Sequence, residues 1–301
     1  MPAIITRGAI TAKGFGFGAA GVADGTYGVF ALGNNNSTTQ KYTFASKTVA
    51  GYSSLGSAYW SGAAGNSTKG VYWAGGGSVA GCTNSGATQK VIWATTTISS
   101  GTTLAGIAGN YGGMTGNATQ AIAIRGGYGS TYTYSNDTTA AVGTRSNITG
   151  VYNDMASNAT NAVVTSQGGT ATDLYTYSST TFASSTSFTS PYTPAGYLNT
   201  VYNSSYAAFW TYRSICCVSY IAYNKWNWSN NSINSNQQST SQNTSSLLAG
   251  VSNNTYGYAA INPPSTLLLT FSAGTFASGT SIGTPMGYAA ATSNGNAGVT
   301  M

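Results

Sequence analysis

Histidine and glutamate are both missing from this 301-residue chain, so its carboxylate chemistry rests on Asp24, Asp137, Asp154 and Asp173. General acid–base catalysis needs positioned titratable partners, most often a histidine or a carboxylate pair. Glycoside hydrolysis needs two carboxylates about 5–9.5 Å apart. Four aspartates dispersed along the chain promise neither, and Asp24 sits in a turn where a capping role suffices. Cys82, Cys216 and Cys217 form no disulfide framework and fall short of the four soft ligands of a zinc site. They read as small buried hydrophobes, with one thiol of the adjacent pair entering the core. The expectation is a protein without catalytic activity, metal or cofactor.

One segment does concentrate binding chemistry. Residues 220–230, YIAYNKWNWSN, place Tyr220, Tyr223, Asn224, Trp226, Asn227 and Trp228 together. Aromatic rings and amides at this density could stack on a sugar and hydrogen-bond its hydroxyls, making a host-surface glycan a possible ligand. The competing reading is structural: Trp226 and Trp228, two apart on a strand, share one face and fill a gap in the core.

The ten basic residues (Arg7, Lys13, Lys41, Lys47, Lys69, Lys90, Arg125, Arg145, Arg213, Lys225) are scattered singly, giving net charge +6. Nucleic-acid binding would want them in a stripe, so no nucleic-acid partner is expected. MPAIITRG holds no long apolar run, and no membrane insertion is expected. The many Asn-x-Ser/Thr triplets read as turns rather than glycosylation sites. Charged residues make up only 5% of the chain, where soluble monomers normally intersperse charges of both signs. A surface of Ser, Thr, Asn, Gly and Tyr suits a protein packed in an assembly or exposed outside cells, and a homo-oligomer is expected.

The elements that must carry these residues repeat. TFASKTVAGYSSLG at 43–56 aligns without gaps on TFSAGTFASGTSIG at 270–283. LYTYSSTTFASSTSF at 174–188 and KVIWATTTISSGTTL at 90–104 are further copies, placing Phe44, Trp93, Tyr177 and Phe271 in equivalent core positions. Turn markers recur at Asp24, Asn66, Asn117, Asn158, Asn203, Asn253 and Asn294, in steps of 42, 51, 41, 45, 50 and 41 residues. Six units fit between seven markers. Such a period indicates a repeat architecture.

Each unit offers four strand-like pieces, in the first Tyr27–Leu32, Gln40–Ala45, Thr48–Leu55 and Ala58–Ala64. No stretch sustains a helical apolar period. Four strands in 40–50 residues is the metric of a β-propeller blade. The fold expected is therefore all-β: a propeller of six, or alternatively seven, four-stranded blades over 26–296. Its seams are expected near the markers, and its closing strand among residues 297–301.

The phrases VYWAGGG at 71–77, TQKVIWATTTI at 88–98 and TQKYTFASKTV at 39–49 resemble degenerate kelch-type repeats. Gly doublets recur at 126–127 and 168–169 and are missing from the last two units. Repeats rich in GNST and TQKYTFAS phrases are similar to those of virion proteins of tailed bacteriophages, marine and cyanobacterial types among them. ITRGAITAKGFGFG at 5–18 resembles the opening of phage tail proteins. The resemblance implies a virion structural component (tail, neck appendage or capsid-surface fibre) assembled in the host cytoplasm with other virion proteins as partners. The alternative is a receptor-binding or adhesin-type module for cell-surface glycans. Residues 1–25 then read as an assembly arm carrying Ile4, Ile5, Arg7, Ile10, Lys13, Phe15 and Phe17, docking by strand addition. A competing reading gives this arm to ring closure.

Overall fold

The computed structural model describes residues 25–31, 37–56, 59–76, 86–109, 112–143, 145, 153–166, 171–188, 200–215, 218–234, 239–241, 247–261, 266–282 and 290–294. The arm residues Ile4 to Phe17, all three cysteines and residues 297–301 lie outside them.

The chain is a six-bladed β-propeller with no helix among the described residues. Blade 1 contains β1 (Tyr27–Ala31), β2 (Thr39–Thr43) and β3 (Thr48–Gly51). Blade 2 follows with β4 (Tyr59–Gly65), β5 (Lys69–Gly76), β6 (Thr88–Ile92) and β7 (Thr97–Ser100). Blade 3 is β8 (Gly113–Gly116), β9 (Gln120–Arg125), β10 (Tyr128–Thr133) and β11 (Thr138–Val142). Blade 4 is β12 (Asn153–Ser157), β13 (Asn161–Ser166), β14 (Thr172–Thr176) and β15 (Thr181–Ser185). Blade 5 is β16 (Thr200–Tyr202), β17 (Tyr206–Ile215), β18 (Val218–Asn227) and β19 (Ser232–Asn234), with β20 (Ser239–Ser241) added against β18. Blade 6 is β21 (Leu247–Ser252), β22 (Tyr256–Ile261), β23 (Thr266–Thr270) and β24 (Thr275–Ser278). The last strand, β25 (Ala290–Ser293), returns to pair with β1 and becomes the innermost strand of blade 1.

All pairings within blades are antiparallel, and each inner strand touches the next around the axis: β25, β4, β8, β12, β16, β21 and back to β25. Ring closure thus comes from β25, upstream of the 297–301 segment. The turn markers also prove to lie inside the blades, between the first and second strands, so they are not the seams. The repeat in the sequence is offset from the blade by one strand: the fourth strand of each sequence unit is the innermost strand of the following blade.

Burial follows strand position. Second strands are sandwiched between neighbouring blades, so they read as continuous apolar runs without alternation: Ala121, Ile122, Ala123 and Ile124 are all fully buried. Outer strands such as TVAG, TISS and TFAS are short, polar and largely exposed, which blunts an edge that would otherwise invite pairing. Among the described residues, six hydrophobic clusters result, one between each pair of adjacent blades.

Candidate interaction face

The two faces of the ring are built on different rules. On one, every connection has the same length in every blade in which it is uninterrupted: three residues after the first strand (66–68, 117–119, 158–160, 203–205, 253–255) and four after the third (44–47, 93–96, 134–137, 177–180, 228–231, 271–274). On the other, connections range from two residues (126–127) to fourteen (186–199). We call these the turn face and the loop face.

Asparagine explains the turn face. Asn66 Oδ1 accepts from the Thr68 N–H at 2.9 Å, the Thr68 hydroxyl at 2.8 Å and the Lys69 N–H at 3.0 Å. Its Nδ2 donates to the Ala118 carbonyl of blade 3 at 2.9 Å. Asn117 holds its own turn the same way and reaches Ala159 of blade 4; Asn203 reaches Asn254, and Asn253 reaches Gly25. One amide both folds a turn and ties its blade to the next. The four-residue turns all end with a residue in the left-handed region, at φ of 49–64°: Lys47, Thr96, Asp137, Thr180, Asn231 and Gly274.

Phe44, Trp93, Tyr177 and Phe271 each open one of these four-residue turns and are buried. Their backbone N–H groups donate to equivalent residues, Thr26, Thr68, Thr160 and Thr255. Tyr134 and Trp228 complete the set of six, and each of the six packs against the preceding blade. The Trp93 and Trp228 indoles also donate to the carbonyls of Asn66 and Asn203.

That placement accounts for most of the 220–230 segment. Tyr223, Asn224, Trp226 and Trp228 are buried in blade 5, Trp226 in the cluster with blade 4 and Tyr223 in the cluster with blade 6. Their rings fill inter-blade space and present no face to solvent. Asn227 is half-buried and donates to Ser232 Oγ at 3.4 Å. Tyr220 sits elsewhere, on a projection. β17 and β18 are ten residues each, against six for β9 and β10, so their hairpin extends about 13 Å further at ~3.3 Å per residue. Tyr212 pairs with Ile221 and Arg213 with Tyr220 in this hairpin, and β20 pairs with residues Tyr220–Ala222. The sequence missed it; the unbroken run from Tyr206 to Ile215 was the available signal.

The loop face carries two further features. Arg145 is buried against the Gly126 carbonyl, to which it donates, at the junction of blades 3 and 4. Burial lowers its guanidinium pKa to about 10, with the Asp173 charge opposing the shift. Beside that turn Tyr128 stands 63% exposed. Toward the turn face hydroxyls join inner strands: Thr115 Oγ1 lies 3.0 Å from Ser157 Oγ and donates to Tyr202 Oη at 3.1 Å, linking blades 3, 4 and 5.

Asp137 is a structural cross-link. Lys69 and Lys90 of blade 2 reach its two carboxylate oxygens at 2.6 and 2.5 Å, and the Tyr132 hydroxyl donates at 2.7 Å. Burial pushes its pKa up, but these partners outweigh burial and hold it at about 2. Among the described residues no three His, Cys, Asp or Glu side chains gather as a metal-ligating group, and no helix is long and apolar enough to cross a membrane.

A scan against protein-family models finds no match to the chain, and no curated protein matches it.

Proposed function

We propose that this protein is a non-catalytic structural component of a tailed-phage virion, a propeller of degenerate kelch type that makes protein or host-surface contacts through its loop face. The observation that carries the contact surface is the confinement of all length variation to one face, because variable loops on a rigid scaffold are where binding resides. The phage setting rests on the TQKYTFAS-type phrases and the 5–18 opening, together with a surface almost free of charge. In this reading residues 1–25 attach the ring to its assembly, and other virion proteins and further copies of the chain are its neighbours. Mass spectrometry and imaging of purified particles test it: a fixed copy number per particle is expected, and absence from particles defeats the reading.

The long hairpin favours a second reading, a receptor-binding module for cell-surface glycans, since Tyr212, Arg213 and Tyr220 belong to its paired strands. Saturable binding to host-surface glycan that disappears when residues 211–222 are replaced by a two-residue turn would support this reading. Binding unchanged by that trimming would remove the hairpin from it.

A further inference from the structure

Between blades 4 and 5, at the loop-face end of the inner strands, three side-chain oxygens are buried together. Asp154 is on β12, Thr165 is its direct partner on β13, and Thr200 begins β16 of the next blade. Asp154 is 9% exposed, Thr165 0% and Thr200 8%. Asp154 Oδ1 accepts the Met155 N–H at 2.9 Å. Among the described residues, Asp154 Oδ2, Thr165 Oγ1 and Thr200 Oγ1 each lack a hydrogen-bond partner. Burial raises the Asp154 carboxyl to about 7, with the nearby Thr200 hydroxyl and the Met155 N–H opposing the shift, although the Thr200 pair does not reach hydrogen-bond geometry.

Leaving one buried polar group unsatisfied costs about 1–3 kcal/mol, so three converging from three strands point to something that satisfies them jointly. The set is all oxygen, one carboxyl and two hydroxyls, without nitrogen or sulfur. That chemistry suits hard cations of the sodium or calcium class and excludes those that prefer imidazole or thiolate. We propose that Asp154, Thr165 and Thr200 ligate a hard cation that bridges blades 4 and 5. Asp154 and Thr200, the two with residual exposure, are both on innermost strands, so the ion would enter from that side. The site lies beneath the projecting hairpin, since Thr200 pairs with Phe209 and the projection begins just beyond. Occupancy therefore stiffens the junction from which the hairpin rises.

The test is thermal unfolding of the full chain after exhaustive dialysis against chelator. Titrations use CaCl₂, NaCl and choline chloride at matched ionic strength. A ligand that binds only the folded state raises the midpoint progressively with its concentration. The expected result is a midpoint rise for calcium or sodium over choline, with the more effective of the two identifying the ion. Asp154→Asn, which keeps size and shape, should lose at least ten-fold in apparent affinity; Thr165→Val, likewise isosteric, should weaken binding while remaining folded. No cation-specific shift in the natural protein overturns the proposal. An equal shift in Asp154→Asn also overturns it, and would assign the three oxygens to buried water or a protonated carboxyl.

Discussion

Tyr27 donates its backbone N–H to Asn294 Oδ1 at 3.0 Å across 267 residues of chain, and the Asn294 N–H returns to the Tyr27 carbonyl at 3.0 Å. In blade 2 the same two bonds link Asn66 to Lys69 within one turn. Blade 1 therefore contains a turn cut in two, one half at Asn294 and the other at Gly25-Thr26. Asn294→Ala removes an acceptor for Tyr27 and a donor to Thr26 Oγ1, and should lower stability by about 1–2 kcal/mol in denaturant unfolding. Removing residues 290–301 bares the inner edge of β1. That truncation should elute as aggregate or melt far below the full chain; a monomer of unchanged midpoint would contradict closure by β25.

Asn66 separates turn folding from blade linkage. Asn66→Asp keeps the three acceptor bonds and loses only the donation to Ala118, so a loss of about 1 kcal/mol is expected. Asn66→Ala loses all four and should cost about 2 kcal/mol or more. Equal effects in the two variants would mean that the three turn bonds contribute nothing, and a neutral Asn66→Asp would mean the same of the inter-blade bond.

Asp137 predicts an acid limb. Its folded-state pKa, about 2, lies below the ordinary 3.8, so the unfolded chain takes up the proton first as pH falls. The stabilisation is complete above about pH 4 and lost on the way to pH 2. Unfolding midpoints measured across that window should fall more steeply for the natural protein than for Asp137→Asn, which is already less stable at neutral pH.

Thr180 holds φ of 53° in its turn, where Gly274 occupies the equivalent place at 64°. The left-handed region costs an L-residue about 1–2 kcal/mol, and a β-branched one is a particular misfit. Thr180→Gly should raise stability by up to about 1 kcal/mol after the added backbone entropy of glycine. Gly274→Thr should lower it, and the pair can be compared in one urea titration.

Phe44 is 2% exposed in the cluster between blades 6 and 1. Phe44→Ala should cost about 3–5 kcal/mol. The melt should remain a single transition at a lower midpoint if the blades unfold together. A variant as stable as the parent would mean that the ring at this position does not pack.

Blade number and strand count were legible because six copies of one solution restate the same constraints. The Thr-aromatic phrases mark third strands and the turns after them, and the Asn triplets mark tight turns. Where a blade begins was not legible, since any turn in a circular repeat looks like a boundary. The position after the first residue of each second strand also escaped notice. Gly28, Gly70 and Gly257 stand there, and a Cβ on Gly28 would meet Val251 at 2.5 Å while one on Gly257 would meet Val201 at 2.6 Å. Ala121, Ala162 and Ala207 fill the same place in the other blades. Close approach of adjacent blades selects small residues, a signal that only the known spacing of blades makes readable. Asp154, Thr165 and Thr200 gave no warning at all, because threonine is abundant and their meeting depends on two different blades.

The cut turn in blade 1 has a mechanical consequence. Because β25 and β1 are antiparallel, the chain segments beyond Gly25 and Asn294 leave the ring at one point. Tension applied between those segments peels the closing strand away one pair at a time, from Gly28–Ser293 onward, rather than shearing all its bonds together. Force applied through only one of them and balanced at the loop face spreads instead over the blade interfaces. A ring anchored on one side of this joint bears load; a ring strung through both sides opens like a zip.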